Sequence, residues 1–264
     1  MRRSRQGMSL TETIVGVGIF SVVIALVMAA MVTSFQTWNQ TASQSATEEV
    51  LFKAHNLLFR DLTNTAPDQV GTSLGLSTIS GSPDSDALWF LSFIDPATGE
   101  PVYGDGSGLG ERGAPVWQRN ILYYAVVPGD HDALVGQSCT GAGGTDGYED
   151  HCPHKVLIRK VIDHTDDPVT GNEQLLTSAA AYLDRPSGLD TSSMTGEEVR
   201  IVGINILHFR ATPIMPGFTI TMRANSIDEA RKRIPVGAVP LSDQPTTIER
   251  LYTVWPKNSR EDAP

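Results

Sequence analysis

The sequence predicts an α+β fold in which one long N-terminal helix packs on an antiparallel sheet. Three observations carry this expectation. Residues 13 to 35, "TIVGVGIFSVVIALVMAAMVTSF", hold no charge and no proline, and an apolar rhythm continues beyond them. Six short strand-like runs, separated by turn residues, follow Pro67. One of them, "FTITMRA" (218 to 224), alternates Phe218, Ile220 and Met222 with Thr219, Thr221 and Arg223, the period of a half-buried strand.

The helix comes first. A run of at least ~20 apolar residues, each rising 1.5 Å, crosses the ~30 Å hydrocarbon layer, so 13 to 35 is expected to span a membrane. Arg2, Arg3 and Arg5 precede the run and an acidic body follows it, which places the N-terminus in the cytoplasm and the body outside. A secretory signal peptide would carry a shorter apolar core and a small-residue cleavage site, whereas "TSFQTWNQTASQSATEE" continues in a polar, helix-compatible manner. Between Gln36 and Asn64 the residues Val50, Leu51, Ala54, Leu57, Leu58 and Leu62 recur at helical spacing, and the first proline is Pro67. The helix is therefore expected to reach about residue 65, with a core-facing stripe in its second half.

Strands are expected at 87 to 94, 120 to 127, 155 to 162, 199 to 212, 218 to 224 and 250 to 255, with "PIMPG" (213 to 217) turning one strand back on the next as a hairpin. "NEQLLTSAAAYL" (172 to 183) and "SIDEARKR" (226 to 233) read as short helices, and "GTSLGLSTISGSPDSD" (71 to 86) as a connector. Asp84, Asp86 and Asp95 are expected to be solvated loop acids, and His208 a satisfied sheet residue.

At 264 residues, 40% hydrophobic and 19% charged, the chain can bury a sizeable core. Its net charge is −10, and −13 without the first seven residues, which disfavours bulk nucleic-acid binding by counterion release. The sequence contains no phosphate loop, nucleophile elbow or H-E-x-x-H, so no catalytic residue is assigned and an enzyme is not expected.

One residue sits badly with a plain membrane anchor. Glu12 stands at the head of the apolar run, and a carboxylate there is costly unless a partner compensates it.

Gly7-Met8-Ser9-Leu10-Thr11-Glu12, with a short basic leader before it and about twenty apolar residues after it, resembles the class III signal of type IV prepilins and pseudopilins. The resemblance implies cleavage after Gly7 by a membrane-embedded prepilin peptidase and methylation of the new N-terminal amine on Met8. It implies that Glu12 meets the N-terminal ammonium of a neighbouring subunit when the helices bundle into a filament. Met8 stands where the family most often has Phe. Residues 120 to 258 are also similar, more loosely, to PilW-type minor pilins and J-type pseudopilins, through the "YY" strand, "VGINILHFRA" turning into "FTITMRA", and "TTIERLYTVWPKN" near the end. The organisation implied is a leader (1 to 7), a long helix (8 to 65) and a pilin-type head (66 to 264). The role implied is that of a minor pilin or pseudopilin in an inner-membrane-derived filament, with other pilin subunits as partners. A signal-anchored periplasmic binding or adhesion module that never polymerises is the alternative.

"CTGAGGTDGYEDHCPH" (139 to 154) carries the only two cysteines, Cys139 and Cys152. A zinc set of Cys139, His151, Cys152 and His154 lacks the usual paired ligand spacing, and Asp146, Glu149 and Asp150 lack the order of an EF-hand loop. Outside the cytoplasm a disulfide between Cys139 and Cys152 is the expected state, stabilising by ~3 kcal/mol for a loop of ~15 residues. No metal site or cofactor is assigned, with calcium held by the acidic loop kept as an alternative.

Overall fold

The computed structural model describes residues 9–74, 76, 85–106, 111–131, 133, 152, 154–165, 172–214, 217–226 and 247–256. Helix α1 runs Leu10–Thr63 and is followed by strands β1 (Val70–Ser73), β2 (Ala87–Ser92), β3 (Arg119–Val126), β4 (Lys155–Ile162), β5 (Glu198–Ile214), β6 (Gly217–Asn225) and β7 (Thr247–Val254). The chain divides into two compact units, Met1–Ser43 and Gln44–Pro264. The expected α+β class is observed, and the second unit takes in the last turns of α1 from Gln44 on.

In the first unit, every residue of α1 from Leu10 to Ala42 is exposed, including Ile14, Phe20, Leu26, Met31 and Phe35. Its hydroxyl groups are satisfied inside the helix. Ser21 Oγ donates to the Val17 carbonyl at 2.8 Å, Thr33 Oγ1 to Ala29 at 2.9 Å and Ser34 Oγ to Ala30 at 2.8 Å. From Thr13 to Phe35 the helix thus bonds its own hydroxyl groups and otherwise presents carbon to its surroundings, a condition for residence in hydrocarbon.

The second unit is built on one antiparallel sheet in the order β1-β2-β3-β4-β5-β6-β7, each strand beside its sequence neighbours. The hairpin between β5 and β6 is as expected, with Ile214 opposite Gly217. Gly217 leaves no room for a Cβ, because the Val254 carbonyl of β7 and the Trp255 ring close on it. β5 is long and bent, with register shifts against β4 and β6 and Asn205 at φ 58°, a left-handed conformation that asparagine tolerates.

The apolar stripe of α1 finds its cover here. Leu51, Ala54, Leu58 and Leu62 are fully buried in one cluster with Phe90, Tyr123, Phe209, Ile220 and Met222 from the sheet. β6 alternates burial as a one-sided strand does, but β2, β3 and β4 are buried on both faces. The second face carries Trp89, Leu122, Tyr124, Val156 and Ile158, covered by Leu176, Ala179 and Met194.

That covering layer corrects one expectation. Residues 172 to 183 are not a short helix; only Ala180–Tyr182 form a turn of 3-10 helix. Side chains of the sheet hold this backbone extended: Asn120 donates to the Gln174 carbonyl at 2.9 Å and accepts from Leu176 N at 3.0 Å, while Trp89 Nε1 donates to the Leu176 carbonyl at 2.7 Å. The stretch read as a connector contains β1, whose Gly71 lies opposite Trp89 with the indole over the place a side chain would fill. Asp86 is fully buried, not solvated, and its Oδ2 accepts from Ala211 N at 3.1 Å. Of the helix expected at 226 to 233, all but Ser226 lies outside the described residues.

A buried ion pair fastens α1 to the sheet. Asp61, 7% exposed, accepts on Oδ2 from Arg159 Nε of β4 at 2.6 Å and from Tyr123 Oη of β3 at 2.8 Å. An acid in the last turn of a helix opposes the macrodipole, and the Arg159 cation offsets it. Burial works against the Arg159 charge, yet Asp61 holds the guanidinium pKa above its ordinary value; burial foremost and Asp61 next push the Tyr123 phenol well up.

Removing one member of a buried pair leaves the other charge uncompensated. Asp61→Ala is expected to cost about 3–5 kcal/mol in denaturant unfolding of the detergent-solubilised chain, and adding Arg159→Met to restore much of that loss. Equal loss in the single and double variants would contradict the pairing.

Candidate functional site

Gly7 and Met8 lie outside the described residues, which begin with Ser9 just before α1. Glu12 sits in the first turn. Its Oε2 accepts from Ser9 N at 2.9 Å and from Ser9 Oγ at 3.0 Å, while Glu12 N donates back to Ser9 Oγ at 3.3 Å. This is a capping box of the S-x-x-E type, in which two donors at the helix start are satisfied reciprocally. The spacing Ser9-Leu10-Thr11-Glu12 announces it, whereas the membrane cost of the acid points to a partner outside the chain.

The cost of that carboxylate is thus partly met within the chain. Both accepted bonds fall on Oε2, and a carboxylate has about four lone-pair positions, so Oε1 can take a second donor without opening the box.

Of the cysteine pair, Cys139 lies outside the described residues, as do Asp146, Glu149, Asp150 and His151. Cys152 is fully buried, and no cysteine among the described residues is a free thiol. Beside it stand two imidazoles, from opposite sides of the β3–β4 connection. His131 Nε2 lies 3.0 Å from His154 Nδ1 and 3.8 Å from Cys152 Sγ. The position of His131, 21 residues before Cys152 in the chain, gave local spacing no means of finding it.

The turn bearing His131 is held from outside. Gly129 N donates to the Pro186 carbonyl at 2.8 Å, and Asp130 accepts from Gly188 N at 2.5 Å and from Ser187 Oγ at 3.0 Å. These bonds keep the Asp130 carboxyl below its usual range, the Gly188 amide contributing most.

A cleft of about 260 Å³ lies by the C-terminal end of α1, lined by Arg60, Asp61, Arg119, Arg159 and Glu198 among others. Its cations are matched by acids: Arg119 Nε meets Glu197 at 2.6 Å, and Arg159 meets Asp61. His208 is buried on β5, within the sheet.

The chain matches no family model, no curated protein and no solved structure.

His154 supplies a pH dependence. Burial, and after it the charge of His131, lowers its pKa from the ordinary 6.5 to about 4, so the folded chain holds a neutral imidazole where the unfolded chain would take up a proton. Its stabilising contribution is full above pH 6.5 and is lost as pH falls through about 4. His55 is lowered as well, by burial first and Arg250 second, and acts in the same direction. The melting temperature is expected to fall between pH 6.5 and about 4, with a shallower fall in His154→Asn; identical slopes in the two proteins would count against this.

Proposed function

We propose that the chain is a structural subunit of a type IV pilus or type II secretion pseudopilus, in the role of a minor pilin or pseudopilin. On this reading the leader is cut after Gly7, Met8 is N-methylated, and residues 13 to 35 hold the subunit in the inner membrane with its head in the periplasm. The helices then bundle with those of other subunits. Cys139 and Cys152 close their loop as a disulfide, a state supported by the absence of a free thiol at the fully buried Cys152.

One observation carries the reading: the motif Gly7 to Glu12 runs into the first turn of a helix whose first half is apolar on all sides and uncovered by its own chain, while its second half is packed. Hydrocarbon and neighbouring copies of the same helix are the two surroundings that suit such a surface. In either, the Glu12 carboxylate gains from a cation within ~4 Å; the attraction is ~1 kcal/mol in water and ~4 kcal/mol at an effective dielectric constant of ~20. On this reading Oε1 receives it, since both bonds from Ser9 fall on Oε2.

A second reading, a signal-anchored periplasmic binding or adhesion module, is favoured by the Ser9–Glu12 box, which satisfies part of the carboxylate without a neighbour.

Glu12→Gln separates the two. Glutamine keeps the shape and can still complete a capping box, but it lacks the charge that a neighbour's ammonium would meet. Membrane insertion is expected to be unchanged, and recovery of the subunit in sheared filaments to drop at least about tenfold, the equivalent of ~1.4 kcal/mol. Undiminished recovery would remove the filament reading.

A further inference from the structure

We propose that His131, Cys152 and His154 form a redox-gated site for a borderline-soft divalent transition ion, with Zn²⁺ the fitting case. The ligand atoms are His131 Nε2, His154 Nδ1 and the Cys152 thiolate. The inference is independent of filament assembly and concerns only the head.

The geometry is that of a ligand set. Tetrahedral Zn²⁺ bonds imidazole nitrogen at ~2.0–2.1 Å and thiolate at ~2.3 Å, which sets two nitrogens ~3.3 Å apart and nitrogen and sulfur ~3.6 Å apart. The observed separations are 3.0 Å for the two nitrogens and 3.8 Å for His131 Nε2 and Cys152 Sγ, and all three atoms lie within 4.8 Å of one another. Movements of a few tenths of an ångström bring them into register around one ion. Among the described residues this is the one such grouping of His, Cys, Asp and Glu atoms.

The site is shielded from solvent and held in place by its surroundings. His131 and Cys152 are buried, and His154 is partly so. Imidazole ligates through a ring nitrogen in its neutral form. β-strand pairing of Val126 with Val156 fixes the two chain ends that carry the ligands, and the bonds from Asp130 and Gly129 to residues 186 to 188 hold the His131 turn. A site whose ligands are positioned before the ion arrives loses little by ordering them.

Cys152 is not a free thiol, and this supplies the gate. While its sulfur is in a disulfide it is no thiolate donor. With Cys139 as its partner, the pairing proposed above, a thiol reductant opens the site by exchange: the Cys139–Cys152 bond and two RSH yield two cysteine thiols and RSSR. Zn²⁺ then displaces the Cys152 proton and forms the Zn–S bond. Water completes the fourth position.

The test uses the full chain in detergent, with Zn²⁺ titrated against a chromophoric chelator and Co²⁺ as the spectroscopic probe. Cys139→Ser leaves Cys152 reduced without touching the three ligands, and wild type reduced by a phosphine gives the same state without a substitution. Both are expected to bind one Zn²⁺ per chain at least tenfold more tightly than oxidised wild type, and to show a thiolate-to-cobalt charge-transfer band. His131→Asn or His154→Asn in the Cys139→Ser background is expected to weaken binding at least tenfold. Circular dichroism reports the fold throughout. The proposal is overturned if the reduced proteins bind no more tightly than Cys139→Ser/Cys152→Ser, if the cobalt band is absent, or if the histidine variants bind unchanged. Unfolding of both reduced proteins in excess Zn²⁺ overturns it equally, since an ion that binds the native site would stabilise the native state.

Discussion

A single helix here must satisfy two kinds of surroundings, and the packing of its second half is the interaction on which the head depends. Leu51, Ala54, Leu58 and Leu62 form a continuous stripe because they recur every three or four residues, and the sheet covers that stripe completely. The first half has no such stripe. Apolar residues there face every direction, so no one-sided cover could bury them. Asp61 fastens the covered half through Arg159 and Tyr123, adding a directional bond to packing that is otherwise non-directional.

The second face of the sheet follows from the same need for cover. With α1 on one side only, Trp89, Tyr124 and Ile158 would be left in water, and the segment from 172 to 197 closes over them. It does so without regular structure, so its backbone groups need side-chain partners, and Asn120 and Trp89 supply them. Lys160, fully buried beneath this layer, ion-pairs with Asp184 and donates to the Tyr182 carbonyl at 2.7 Å. Burial lowers its pKa and the Asp184 carboxylate works against that effect, so the pair ties the covering layer to β4 at the expense of desolvating a cation.

Elements with a strong period were legible in the sequence. The helix, the six longer strands and the β5–β6 hairpin all follow from spacing, and 155 to 162 matches β4 end to end. β1 was not legible, because four residues containing Gly71 carry no alternation; the strand exists because Trp89 fills the space above that glycine. The stretch 172 to 183 has helix-forming composition, but its apolar residues serve a flat sheet surface and tertiary contacts override propensity. At the sites, Glu12 stood out by its charge while its bond to Ser9 went unread. Asp61 and Arg159 lie 98 residues apart and carry no local signal of their pairing, and His131 joins Cys152 and His154 only through the pairing of β3 with β4.

On the proposed reading, the uncovered half of α1 belongs to a processed filament subunit and not to a fixed anchor. The mass of the N-terminal peptide of the chain recovered from its native membrane tests this most directly. A peptide beginning at Met8 and heavier by one methyl group is the expected result. An unmodified peptide that still carries residues 1 to 7 would contradict the account.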